Sequence, residues 1–598
     1  MALTEGPLWA RTKNINNFWG TLGALIRYMG RYRLMLYLGI VMIVIATSFS
    51  LIGPQYLSRI TDSIQGSIQN GLPIDMDEIL YLALITAALY IVSMILTSSE
   101  HYVIGSSSEY IARKMRKDLS DKLNSIPMSY FDGSTSGDIM SRVSNDADTV
   151  GRNCSESITH IITALVSMLG AFGMMIYTSP ELALVSAVPA AIGFVSVFIL
   201  VKLSQKYFRI QQNRLGSMNA LVDENYRGHE IVRLYGGENS AWKKFESING
   251  TLYQSALRTR FISGMMSLMM NFISNIGYLT VCVFGSMMVM DGKMGYGTIV
   301  AFIVYIKLFT QPMVQFSESM GMIQMVIAAS ERVFEFLTIP EMDPEDGKDV
   351  TIPDVKGDIE FEDVHFSYIE GKEVIHGFSQ RITAGSRVAI VGPTGAGKTT
   401  LANLLMKFYE PDSGRILIDG HDTADMRRHY VHSLFDVVLQ DSWLFSGTVR
   451  DNIVFNREGI DDERVMEACE AVGLGQFIRS LPDGLDTEMT DKVAMSGGQK
   501  QQMMMARMLI RDAPMVILDE ATSSVDTRTE KQIQRAMELL MRGKTSFVIA
   551  HRLSTIMDSD LILVIKEGNV VEQGTHQELL DRRGFYYGLY SSQFENCA

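Results

Sequence analysis

Six apolar runs occupy the first half of the sequence, near 34–57, 79–104, 158–178, 182–203, 262–290 and 298–325. Each continues for roughly 20 residues or more, long enough to cross a ~30 Å hydrocarbon layer as a helix. Only Ser179-Pro180-Glu181 separates the third from the fourth, so those two form a tight helical hairpin. The second and third, and the fourth and fifth, are separated by long polar stretches, 105–157 and 204–261. These stretches carry most of the positive charge: Arg113, Lys114, Arg116, Lys117, Lys122, Arg142 and Arg152 in one, Lys206, Arg209, Arg214, Arg227, Arg233, Lys243 and Lys244 in the other. The opposite loops offer only Arg59 and Lys293. By the positive-inside rule the long stretches, the N-terminus and everything after the sixth run face the cytoplasm. Stretches of that length read as helical extensions that pack on one another.

After about residue 340 the pattern changes to short apolar runs broken by Gly, Asp and Ser turns, as in a soluble α/β domain. A chain of 598 residues needs more than one core in any case. We therefore expect an N-terminal segment (1–33), a six-helix transmembrane domain (34–338), a linker (339–354) and an α/β domain (355–598). The linker holds the acidic, two-proline stretch Ile339-Pro340-Glu341-Met342-Asp343-Pro344-Glu345-Asp346-Gly347. Within the first segment, residues 14–33 set Phe18, Trp19, Leu22, Leu25, Ile26 and Met29 among Arg27, Arg31 and Arg33. This pattern suits an amphipathic helix at the membrane surface, or one packed on protein.

A net charge of −14 argues against a general nucleic-acid binder. Cys154, Cys282, Cys469 and Cys597 lie far apart, with neither a disulfide framework nor zinc-ligand spacing, which fits a reducing cytoplasm. The N-terminus shows no signal-peptide pattern. In the sixth run Lys307, Gln311, Gln315 and Glu318 fall on one helical face. Ionisable groups inside a membrane are costly, so that face either lines a substrate path or contacts another helix. Pro312 marks a possible kink. Met265, Met266, Met269 and Met270, with Met320, Met322 and Met325, supply either adaptable binding surface or plain core.

The most specific motif is Gly392-Pro393-Thr394-Gly395-Ala396-Gly397-Lys398-Thr399, preceded by the apolar strand Arg387–Val391 and followed by the helical pattern Leu401-Ala402-Asn403-Leu404-Leu405, with Thr400 between them a further candidate nucleotide-binding residue. This is a phosphate loop in its required context. Its glycines let backbone N–H groups surround phosphate oxygens, Lys398 reaches the β/γ-phosphates, and the Thr399 hydroxyl ligates Mg²⁺. The run Met515-Val516-Ile517-Leu518-Asp519-Glu520 ends a buried strand in two carboxylates. Asp519 is placed to hold Mg²⁺ and Glu520 to activate the attacking water. A helix N-cap would be the ordinary reading of such an acidic pair without the loop.

Ser496-Gly497-Gly498-Gln499, upstream of that acidic strand, makes the chain resemble the ATP-binding-cassette (ABC) transporters. The resemblance extends to Tyr368, which matches the family's adenine-stacking aromatic, and to Gln440, which matches the glutamine joining the Mg²⁺ site to the membrane domain. It also takes in Asp526, in the loop touching the opposite subunit, and His551, which contacts γ-phosphate. Tyr130-Phe131-Asp132, followed by residues 136–146, resembles the first cytoplasmic loop of exporter-type half-transporters, whose short helix docks on the cassette. There are departures: Met495 stands for the usual Leu, Lys500-Gln501-Gln502 for a more basic run, and the loop at Thr490-Asp491-Lys492 is one residue shorter.

The resemblance implies a multi-domain fold, an all-α six-helix transmembrane domain followed by an α/β P-loop ATPase with a helical signature subdomain. It implies ATP and Mg²⁺ as cofactors, and a dimer in the bilayer whose signature acts on ATP held by the partner. The departures tilt the pairing slightly from a homodimer toward a different half-transporter subunit. The implied activity is ATP-driven export of an amphipathic drug, lipid or small peptide. An importer of a metal-chelate compound on the same fold, and an ATP-gated channel or regulatory subunit, are the rival readings.

Overall fold

A computed structural model describes residues 18–369, 371–438, 443–489, 495–519, 527–549 and 556–594. The chain clusters into two units, Met1–Ser125 with Thr135–Ile339, and Ile126–Ser134 with Pro340–Ala598.

The first unit is helical. α1 (Phe18–Tyr28), α2 (Arg33–Gln69) and α3 (Met76–Ser125) come first; α4 (Met128–Asp132) then falls in the second unit. α5 (Ser136–Met140) runs through a π-helical turn, Ser141–Asp146, into α6 (Ala147–Thr178). α7 (Pro180–Arg227), α8 (His229–Leu234), α9 (Glu238–Met290) and α10 (Tyr296–Leu337) complete it. Six of these helices are long and apolar enough to cross a membrane. They extend well past the apolar runs that announced them, so the polar stretches between runs are largely helix too. Ser179 explains the tight turn between α6 and α7: its hydroxyl accepts from the Leu182 amide at 3.5 Å, and Pro180 opens the new helix with φ already set.

Glycines let the membrane helices approach closely. A Cβ at Gly39 would lie 2.3 Å from Ile104, and one at Gly170 2.3 Å from Leu51. Polar ties supplement this packing where no water competes. Tyr305 donates to the Leu51 carbonyl at 3.1 Å, Gln55 to Thr178 Oγ1 at 2.9 Å, and Thr159 to buried Glu100 at 2.7 Å. α1 buries Thr21, Ala24, Leu25 and Tyr28 against protein, with Tyr28 donating to Asp118 at 2.6 Å, while Trp19 stays exposed.

The second unit is α/β. β1 (Ile359–Ile369), β2 (Lys372–Ile382), β4 (Ser413–Ile418) and β5 (His421–Asp422) form one antiparallel sheet in the order β2-β1-β4-β5. β3 (Arg387–Val391), β6 (Phe435–Val438), β7 (Met515–Asp519), β8 (Thr545–Ile549), β9 (Leu561–Lys566) and β10 (Asn569–Gly574) form the other, ordered β10-β9-β3-β8-β7-β6. All its pairings are parallel except β10 with β9. β3 and β7 are almost wholly apolar inside, as strands covered on both faces must be. The helices are α11 (Lys398–Leu405), α12 (Arg428–Ser433), α13 (Val449–Val454), α14 (Asp462–Ala471), α15 (Gly475–Ser480), α16 (Gly497–Arg511), α17 (Thr527–Met541), α18 (His576–Arg582) and α19 (Phe585–Phe594).

The acidic stretch after Pro340 is non-helical but firmly attached. Arg428 binds Glu345 Oε1 through its amide at 2.7 Å and through Nη1 at 3.3 Å, and its Nη2 reaches Glu410 at 2.8 Å. The Val350 amide donates to the Asp425 carbonyl, and the Ile352 amide to Tyr430 Oη.

Candidate functional site

Gly392–Thr399 leaves the C-terminal end of β3 and enters α11 at Lys398. Two glycines sit in left-handed backbone, Gly395 at φ +81° and Gly397 at φ +101°. A Cβ at Gly392 would lie 2.2 Å from the Ile565 carbonyl, so that position needs glycine for space, whereas one at Gly397 would crowd only the end of the Ile375 side chain, at 2.9 Å. A Cβ at Gly395 meets nothing within 4 Å, which leaves that side of the loop open to an anion. The Ala396 amide turns back to Pro393 O at 3.2 Å, and Gly568 N donates to Ala396 O at 3.1 Å, pinning the loop against the β9–β10 turn. The loop therefore has the nest conformation that suits phosphate, at a helix N-terminus. Lys398 is buried, and its ammonium donates to the carbonyls of Gly392 at 2.8 Å and Pro393 at 3.1 Å, folded across the loop it serves.

Thr399 is exposed at the head of α11, while Thr400 is buried and accepts a hydrogen bond from Tyr368 Oη at 3.2 Å. Tyr368 is 40% exposed, so its ring is available for stacking while its hydroxyl is moored to the phosphate-loop helix. Asp519 ends β7 opposite Ile549 of β8, and Ile549 also faces Ile390 of β3. Asp519 is thus level with Ile390 two strands away, about 10 Å off at the usual strand spacing. Both lie at the edge where ligands of parallel sheets bind.

Ser496–Gln499 is built separately, at the head of α16. The Ser496 hydroxyl accepts from the Gln499 amide at 3.2 Å, and the Gln499 side chain accepts from the Ser496 amide at 2.9 Å, a complete capping box. Gly497 is exposed with nothing within 4 Å of a would-be Cβ, so the backbone there can approach a ligand. Met495 packs against the core beside it. Gln440, Glu520, Asp526 and His551 lie outside the described residues.

Sequence reasoning overlooked several anchors. Gln502 is buried and donates to the Val472 carbonyl at 2.8 Å, and Arg507 donates from Nε to Asn452 O at 2.7 Å, so both set the pose of α16. Asn452 in turn donates to the carbonyls of Phe445 and Thr448 and accepts from the Phe445 amide. A polar side chain in an amphipathic helix gives no sign of being buried until its partner, 30 or 55 residues away, is known.

This geometry defines a class: a polytopic membrane protein carrying a P-loop nucleotide-binding domain. Residues 36–313 match the ABC transporter transmembrane region, and residues 375–523 match the ABC transporter family. A Mycobacterium bovis protein named "Fatty acid ABC transporter ATP-binding/permease protein" is 36% identical over 609 residues, covering 96% of each chain. The "ATP-dependent lipid A-core flippase" of Syntrophus aciditrophicus is 33% identical over 490 residues, 81% of each chain. A bacterial Atm1-family ABC exporter solved with ATP bound superimposes with a TM-score of 0.74 at 25% identity, over 95% of this chain and 99% of that one. The chain belongs to the ABC transporter family, as an exporter-type half-transporter with six membrane helices fused to one nucleotide-binding domain. It is a multi-pass membrane protein whose cytoplasmic domain binds ATP and acts as a transport-coupled ATPase.

Proposed function

We propose that the chain is one half of a dimeric exporter that moves a lipid-like amphipathic substrate across the cytoplasmic membrane. The observation that carries this reading is α10. Its Lys307, Gln311, Gln315 and Glu318 are all exposed, while Ala301, Phe302, Tyr305, Ile306 and Met313 are buried. Lipid tails cannot solvate an ammonium and a carboxylate on one stripe, so this face requires a polar path or a partner. An apolar helix with one charged stripe is suited to an amphiphile, which has both characters. The names of the fatty-acid and lipid A-core relatives support the same substrate class. A dimer is further supported by α8 and the residue after it, where Ile231, Leu234 and Tyr235 are exposed among the described residues. Pairing with a similar but different subunit is slightly preferred, on the altered residues around Ser496.

In the ATP site, Lys398 and the Gly392–Thr399 amides bind and orient the β/γ-phosphates, and Tyr368 carries the adenine. Thr399, Asp519 and Gln440 supply hard oxygen donors for Mg²⁺, which when bound neutralises phosphate charge. Glu520 positions or deprotonates the attacking water, and His551 contacts the γ-phosphate. Ser496, Gly497, Gly498 and Gln499, with Asp526, close the site from the opposite subunit. Closure of two such cassettes on ATP drives the membrane helices outward, and hydrolysis resets them.

The test is ATP hydrolysis by the chain reconstituted alone, beside Glu520→Gln, and again after co-expression with a neighbouring half-transporter where one is encoded. Activity alone that Glu520→Gln abolishes establishes a homodimeric pump. Activity only with the second subunit establishes the heterodimer. Activity that survives Glu520→Gln overturns the assigned chemistry.

A further inference from the structure

Nine residues from the membrane half of the sequence, Ile126–Ser134, cluster with the cassette. They carry α4, which buries none of its own residues. Its last residue, Asp132, accepts a hydrogen bond at Oδ2 from the hydroxyl of Tyr409. The Tyr409 ring meets Tyr368 edge to face, with centroids 5.1 Å apart and planes at 84°, and meets Phe366 at 5.4 Å and 64°. Phe366 also sets its ring against Tyr368 at 4.8 Å and 84°. Tyr368 itself is moored to Thr400. An unbroken line of contacts therefore runs Thr400, Tyr368, Tyr409, Asp132.

We infer that Tyr409 is a positioning residue that passes the state of the nucleotide platform to α4, and through it to the membrane helices on either side. This rests on the reading of Tyr368 as the adenine platform. Aromatic pairs of this kind are worth about 0.5–1.5 kcal/mol and depend on ring geometry, so a shift of Tyr368 toward adenine moves Tyr409 or forfeits the contact. A hydroxyl donating to a carboxylate is among the stronger and more directional protein hydrogen bonds. Burial first, and then the Asp132 carboxylate, raise the Tyr409 phenol above its ordinary pKa, which keeps it a donor throughout the physiological range. Packing alone would be served equally by phenylalanine. The hydroxyl is what reaches α4, and it adds to the half-buried Tyr130 and Phe131 in fixing the orientation of that helix.

The experiment uses the full chain, with its partner subunit if activity requires one, in lipid nanodiscs. The four native cysteines are replaced, and a spin label is placed at exposed Ser129 of α4. The readout is the change in label mobility on adding ATP in the Glu520→Gln background, alongside the ATP Kd and the melting temperature. Tyr409→Phe is expected to shrink the ATP-driven change at least about twofold while Kd and melting temperature hold, because the ring contacts survive and the hydroxyl does not. Asp132→Ala should match it, Asp132→Asn, which retains an acceptor oxygen, should keep most of the response, and the double variant Tyr409→Phe/Asp132→Ala should be no worse than either alone. A full response in Tyr409→Phe, additive losses in the double variant, or a parent label that ignores ATP would each overturn the relay. Tyr368→Ala separates the two readings. An unchanged ATP Kd there removes the adenine platform, whereas a Kd weakened roughly tenfold beside a normal Tyr409→Phe response removes the relay alone.

Discussion

Arg332 of α10 holds Asp146 with two parallel hydrogen bonds, Nε to Oδ2 at 2.8 Å and Nη2 to Oδ1 at 2.6 Å. Asp146 is only 4% exposed and closes the π-helical turn that leads into α6. Removing the guanidinium leaves a buried carboxylate, although the half-exposed arginine limits the cost to about 1–3 kcal/mol. Arg332→Ala should lower the melting temperature of the detergent-solubilised protein, and Arg332→Lys, which keeps charge without the fork, should fall between. A melting temperature equal to that of the unmodified chain would show the pair to be dispensable.

Lys398 is buried at the head of α11, and its ammonium donates to the carbonyls of Gly392 and Pro393. Lys398→Ala should reduce ATP hydrolysis by roughly 10²–10³-fold, the scale seen when one preorganised charge-stabilising donor is lost. Steady-state phosphate release measures this. A loss below tenfold would mean that the lysine does not reach the phosphates.

Asp436 on β6 is fully buried; its Oδ2 accepts from the Ala513 amide at 2.8 Å, and Arg511 and Lys544 stand off at 3.7 and 3.9 Å. Burial raises its carboxyl above the ordinary range, against the opposing pull of the Ala513 amide and the two cations. The folded state therefore holds this proton more tightly than the unfolded state. Its contribution is largest below the unfolded value of about 3.9 and declines as pH rises through the raised folded value. Asp436→Asn should remove that decline. Thermal unfolding of both proteins from acid to neutral pH checks it, and parallel pH profiles would refute it.

Lys307→Ala and Glu318→Ala should each change substrate-stimulated ATPase more than basal ATPase, because both side chains are exposed and neither supports the core. With a fluorescent fatty acid as the probe substrate, a stimulation ratio reduced roughly threefold or more is expected, the scale of losing one exposed charge contact. Equal effects on both rates would make the stripe a helix contact.

Much of this was legible in the chain. The apolar runs located the membrane helices because hydrocarbon imposes length and polarity at once, and the glycines of Gly392–Thr399 include two, 395 and 397, that take the left-handed backbone glycine adopts most readily. Ser496 as a helix cap could be read from Gln499 three residues on. Other features depend on partners distant in sequence. Nothing in Asp132 announces Tyr409, since acidic residues near helix ends are ordinary, and the prolines and acids after Pro340 do not reveal that Arg428 will pin them down. The π-helical turn at Ser141–Asp146 has no compositional mark at all. Periodicity reports which face of an element is apolar; it does not report which distant side chain will satisfy a polar one.

Asp132 and Tyr409 are separated by 277 residues of chain. At ribosomal speeds of about 5–20 residues per second, α4 emerges some 14–55 s before the tyrosine that receives it. During that interval four further membrane helices, α6, α7, α9 and α10, are made and inserted. The waiting segment carries Met128, Tyr130 and Phe131 on a helix of five residues, and its cassette contacts exist only once the second half of the chain has been made. Assembly thus has a built-in order: the membrane half is committed first, and the cassette, last to be synthesised, completes its own fold around a piece that has been waiting for it.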